Sequence, residues 1–126
     1  VQSLKGNRPM AYIDGFMLAV PNENKEKYAA TSRMMLKIWK EEFGMLSAKE
    51  CWGDEVPDGK VTSMPMAVKC EANETVVFSW SIWPDKATRD EAWAKCEQDE
   101  RFKDIAMDFD GKRMIFGGFV PFVEVE

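Results

Sequence analysis

The chain has 126 residues and a mass of 14.4 kDa, the size of one ordinary domain, with 45% hydrophobic and 31% charged residues. Seventeen Lys and Arg against 22 Asp and Glu leave a net charge of −5, so there is no cationic excess for phosphates, and nucleic acid and anionic membrane surfaces are poor partners. Histidine is absent, which excludes Ser-His-Asp triads, Cys-His pairs, His-ligated haem and nearly every catalytic zinc site.

Val1 to Pro9 is polar, begins without Met and lacks an apolar core segment, so it reads as an N-terminal extension or leader ahead of a plausible start at Met10, with a single domain over 10–126. Ala11 to Val20 is an apolar, β-leaning stretch interrupted by Asp14 and Gly15 and closed by Pro21, a first strand. Asn22 and Asn24 are N-cap candidates, Glu23 and Glu26 suit a helix N-terminus, and Tyr28, Met35, Ile38, Trp39 and Phe43 share one helical face before Gly44. The pattern predicts a helix over 23–43. Met45 to Val56 alternates as a second strand ending at the Pro57-Asp58-Gly59 turn, and the connection that follows holds a short edge strand at 66–70. Thr75 to Trp83, TVVFSWSIW, is the strongest strand signal, stopped by Pro84. Asp85 or Thr88 caps a helix to about residue 100 with Ala92, Trp93 and Cys96 on one face. A further helical turn is expected over 102–107, and Arg113 to Val125 reads as the last strand.

The order β-α-β, β-α-β predicts a ferredoxin-like α+β fold, an antiparallel four-stranded sheet with both helices on one face. A sheet whose other face met water would alternate apolar and polar residues. Here both sides are apolar: Ile13 and Met17 against Phe16 and Leu18, and Met114, Phe116 and Val120 against Ile115, Phe119 and Val123. A second copy, sheet against sheet, covers that face most simply, giving a homodimer with a shared barrel-like cavity.

MAYIDGF (10–16), CWGDEVPDGKVTS (51–63), ETVVFSWSIWP (74–84) and FDGKRMIFGGF (109–119) resemble the YbaA-like family of small bacterial proteins, and the likeness spans Met10 to Val123. The resemblance implies a dimeric α+β barrel, in the superfamily that also holds cofactor-independent antibiotic-biosynthesis monooxygenases and chlorite dismutases, and implies no reaction. Met66 stands in SMPM where the family's pattern has Arg, which removes an anion-binding group there.

Several chemistry-bearing groups have plainer readings. Asp54, Glu55 and Asp58 lack the spacing of a calcium loop and sit around a turn. Asp110-Gly111-Lys112 is likewise a turn. Gly117-Gly118-Phe119 only half matches an RNA-recognition strand, and glycines there suit close backbone packing. Cys51, Cys70 and Cys96 form no C-x-x-C and leave an odd thiol, which fits a reducing cytoplasm and implies no disulfide framework, metal or cofactor. The longest apolar run, Met114 to Val123, is ten residues, below the ~20 needed to span a bilayer. Polar residues inside apolar strands are the sharper signal. Asp14 interrupts the first strand, and Ser79 and Ser81 share a face with Trp83 in the third. With Phe78 and Trp80 against the helices, Asp14, Ser79, Ser81 and Trp83 would line the inter-subunit cavity and bind a small, partly apolar molecule. Asp14 is then the candidate base of a histidine-free site, in a cofactor-independent monooxygenase or isomerase; a non-catalytic carrier is the other reading.

Overall fold

In the computed structural model of the protein, which describes residues 11–106 and 108–126, β1 (Tyr12–Pro21), β2 (Ser47–Trp52), β3 (Glu74–Trp83) and β4 (Ile115–Phe119) form one sheet in the order β2-β3-β1-β4. Every neighbouring pair is antiparallel. The expected extension over 1–9 lies outside the described residues. β1 and β3, the two strands richest in β-branched and aromatic residues, pair along their full length from Tyr12↔Trp83 to Pro21↔Glu74. Two long helices, α1 (Lys25–Glu42) and α3 (Lys86–Gln98), make the crossovers, and a single-turn α2 (Met64–Ala67) lies between the halves. This is the ferredoxin-like arrangement that the order of elements predicts.

Local chemistry adjusts the boundaries. Neither Asn22 nor Asn24 caps α1 with its side chain: the Asn22 amide oxygen accepts the Thr75 hydroxyl at 2.5 Å, and the Asn24 amide donates to the Asp108 carbonyl at 3.0 Å. Asp85 caps α3 by accepting the Thr88 N–H at 2.7 Å. The edge strand expected at 66–70 is instead helical at its start, because Ser63 accepts the Met66 N–H at 3.1 Å and Pro65 suits a first helical turn. β2 begins later than the pattern predicts because Met45 is buried and its N–H bonds back to the Trp39 carbonyl. The last strand is also shorter than expected. Asp110 caps a turn over Gly111–Arg113, and residues 120–126, with Pro121 lacking an N–H, take no regular partner.

Strand alternation places Tyr12, Asp14, Phe16, Leu18 and Val20 of β1 opposite Trp83, Ser81, Ser79, Val77 and Thr75 of β3 on the helix side. There Tyr12, Met45, Trp83 and Ala92 form one core cluster and Leu18, Val20 and Val77 another. The far face carries Phe78, Ile115 and Phe119, exposed at 42%, 45% and 60%. Val68, beside α2, covers only one end of that face, with Ala19 and Val76.

Gly118 lets β4 close over Tyr12: a Cβ there would collide with the Tyr12 hydroxyl and ring. Gly118→Ala is therefore expected to lower stability by about 1–3 kcal/mol in urea unfolding, with Tyr12→Phe relieving part of the loss. A second clamp joins the ends of the sheet. Arg113 donates two bonds of 2.7 Å to Glu74, whose side chain is 4% exposed, and one of 2.8 Å to the Lys69 carbonyl. The Arg113 hydrogen bonds hold the Glu74 carboxyl below its usual value of 4.5. A carboxyl depressed in the folded state contributes fully above its unfolded pKa, and the contribution fades as pH falls through the lower folded one. Unfolding midpoints followed from pH 7 to 2 should thus fall below about pH 4.5, and Arg113→Gln should flatten part of that decline.

Candidate functional site

Asp14 is fully buried near the start of β1, a position only a partnered carboxylate can hold. Arg89, on the second turn of α3, supplies the partner. Its Nε lies 3.0 and 3.2 Å from the two Asp14 oxygens and its Nη2 2.9 Å from Oδ1. The Trp83 indole donates to Asp14 at 3.1 Å and to the Ser81 hydroxyl at 3.2 Å. The guanidinium is stacked over Trp93 at 4.1 Å and Tyr12 at 5.1 Å, and its hydrogen bonds to Asp14 raise its pKa further. Three of the residues singled out in the sequence, Asp14, Ser81 and Trp83, are thus brought together, but against the helices.

This corrects the expected placement. Phe78 lies on the open face and is exposed, while Trp83 packs with Trp39 at 5.8 Å and is wholly buried. The serine and aspartate face belongs to the interior of one chain, not to a cavity between copies. Asp14 and Trp83 are not among the residues lining the cavity described next, and both Asp14 oxygens accept hydrogen bonds from Arg89 and Trp83, so Asp14 is not placed as a free proton acceptor.

A cavity of about 350 Å³ does lie on this side, between the sheet and α1. Leu18, Ser79 and Ser81 form its floor, Tyr28, Ser32, Met35 and Trp39 its helical wall, and Phe102, Ile105 and Phe109 its cover. Its surface is mostly hydrocarbon and aromatic, with one polar end. Tyr28 and Ser32, one turn apart on α1, both donate to Glu50 of β2, Tyr28 to Oε1 at 2.8 Å and Ser32 to Oε2 at 2.5 Å. Burial, and then the negative charge of Glu50, raise the Tyr28 pKa far above its ordinary value, so the phenol keeps its proton. Thr31 adds a longer bond of 3.4 Å to Asp108. Glu50 and Ser32 also border an open outer groove lined by Arg33, Lys37 and Lys40, so the polar end stands where the cavity meets solvent.

Ser79 and Ser81 therefore line the cavity, whereas Tyr28, Ser32 and Glu50 were not singled out. A signal existed: Tyr28 and Ser32 are spaced i, i+4 within the apolar stripe of α1, and Glu50 alternates with Ala48 and Trp52 on the inward side of β2. Among the described residues no group of three His, Cys, Asp or Glu is placed to hold a metal ion, and no helix is long and apolar enough to cross a membrane. Cys51, Cys70 and Cys96 are free thiols, and burial raises the pKa of Cys70 and Cys96, opposing thiolate chemistry.

The sheet order, the two crossover helices and the interior cavity define a ferredoxin-like α+β protein. A crystal structure of a dimeric ferredoxin-like protein from an uncultured marine organism superposes with a TM-score of 0.62 over 92% of this chain and 99% of its own, at 11% identity. The family described as "Protein of unknown function (DUF1428)" matches residues 11–111, and the chain belongs to that family. The "Uncharacterized protein YbaA" of Escherichia coli (strain K12) is 49% identical over 117 residues, 91% of this chain and 99% of the relative, and that of Shigella flexneri matches to the same extent.

The Asp14–Arg89 pair is the most consequential contact to break. Arg89→Ala leaves a buried carboxylate without its cation and should lower stability by about 3–5 kcal/mol, while Asp14→Leu combined with Arg89→Met should recover most of that loss in thermal unfolding.

Proposed function

We propose that the protein is a homodimer, formed sheet against sheet, in which each copy binds a small, partly apolar molecule in its own cavity between helices and sheet. The observation that carries this reading is the cavity itself: a largely apolar volume of about 350 Å³, open at one end where a few polar groups converge, is the usual form of a small-molecule site. The dimer is supported by the exposed Phe78, Ile115 and Phe119 on the far face and by the dimeric state of the marine ferredoxin-like protein. Three free thiols support a reducing, cytoplasmic setting.

A non-catalytic carrier or sensor fits best, because the carboxylate that a histidine-free oxygenase or isomerase would use as base is not Asp14, which Arg89 holds. An enzymatic version would draw on Glu50 or Asp108, the carboxylates that line the cavity. A thermal-shift series of quinones and phenols, followed by oxygen-uptake measurement, separates the two: a carrier gains stability with its ligand and leaves oxygen unconsumed. Sedimentation should give twice 14.4 kDa at micromolar concentration, with an interface on the order of 2,000 Å², and Phe78→Glu should shift it to monomer. A wild-type monomer refutes the assembly, and an absence of any ligand-induced stabilisation refutes the binding reading.

A further inference from the structure

We infer that the Tyr28–Ser32–Glu50 end of the cavity is a donor-selecting subsite: it takes an uncharged molecule bearing a hydroxyl group on an aromatic or aliphatic body and rejects the matching carboxylate. This rests on the cavity being a binding site and names what that site reads.

The argument follows the protons. The Tyr28 and Ser32 hydroxyl hydrogens both point at Glu50, at 2.8 and 2.5 Å, and that of Thr31 points at Asp108. Burial beside Glu50 keeps the Tyr28 proton in place, so no change near neutral pH frees it. The Trp39 N–H is given to the Cys96 sulfur at 2.9 Å. A carboxylate offers about four acceptor positions, and the two donors occupy two of those on Glu50. Glu50 is exposed at the rim, where it borders both the cavity and the outer groove, so its remaining lone pairs and its negative charge are within reach of an occupant. A molecule that brings its own O–H completes the set, and one that brings a carboxylate meets Glu50 and Asp108 with like charge.

The cations nearby do not reverse this. Lys49 borders the cavity, but it alternates with Glu50 onto the other side of the edge strand and is exposed to water. Arg33, Lys37 and Lys40 border the outer groove, and Lys40 is held by the Leu46 carbonyl at 2.9 Å. Ser79 and Ser81 on the floor carry neutral hydroxyls that can meet a second polar atom of the occupant without compensating an anion. An ammonium would shed its water against Met35, Trp39 and Phe109, so the neutral hydroxyl is the group that loses least on entering.

Calorimetric titration at pH 7 with 1-naphthol, 1-methoxynaphthalene and 1-naphthoate tests this, the second probe keeping size and oxygen while lacking the donor. Naphthol should bind roughly tenfold more tightly than the methyl ether, the size of one hydrogen bond to a charged acceptor, and naphthoate more weakly than either. Glu50→Gln should bring naphthol and its ether within about twofold of each other, whereas Tyr28→Phe, which frees a lone pair on Glu50 and keeps its charge, should preserve the preference. Ether or naphthoate binding as tightly as naphthol overturns the selection while leaving cavity binding intact. A preference that survives Glu50→Gln overturns the assignment to this end of the cavity. No binding of any probe by the wild-type protein overturns the cavity reading and this inference with it. The wild-type series decides the class even where a variant fails to fold.

Discussion

A carboxylate buried within an apolar strand is the constraint around which this fold is arranged. Asp14 cannot stay buried without a cation, and the nearest element that can deliver one is the helix crossing over β1 and β3. The pairing of Arg89 with Asp14 fixes the height and rotation of α3 on the sheet, and the stacking of the guanidinium on Trp93 and Tyr12 leaves the arginine little freedom. Trp83 completes the arrangement by giving its indole hydrogen to both Asp14 and Ser81. What reads in the sequence as polar intrusion is therefore the fastener between helix and sheet.

With α3 anchored over one half of the sheet, α1 spans the other half at the distance its own side chains set. Where those are large and apolar, at Trp39 and Phe43, the layers close around Met45 and Trp83. Near the start of α1, Tyr28 packs on the Leu18, Val20 and Val77 cluster, and with Ser32 it is tied to the edge strand through Glu50. The cavity lies between these regions, roofed by the segment after α3. Its polar end is at the rim because β2 is an outer strand and Glu50 reaches it from the side that meets water.

The far face follows the opposite logic. It carries Phe78, Ile115 and Phe119, which stay exposed among the described residues, while Val68 packs at one end. A sheet that commits both faces to apolar residues while owning helices for only one face is an unfinished core. The division leaves the interior cavity on the helix side of the sheet and the open apolar surface on the other.

The sequence by itself determined the order of elements, the antiparallel sheet and the apolar character of both its faces, because strand and helix periodicity, Pro21 and Pro84, and the Asp85 cap are local signals that tertiary contacts did not override. The helix at 64–67 and the short β4 were less legible, since a four-residue turn with a Ser cap and a strand edged by Pro121 carry too little periodicity to separate from their alternatives. The sequence also marked Asp14, Ser79, Ser81 and Trp83 as unusual. It could not say which face they occupy, because alternation fixes that they share a side and not which side the helices take. That choice follows from Arg89, a residue 75 positions from Asp14, because the buried carboxylate finds its cation only when the helices cover it. Tyr28, Ser32 and Glu50 escaped notice for a related reason: each is ordinary in its own element, and only the packing of α1 against an edge strand joins two hydroxyls to one carboxylate.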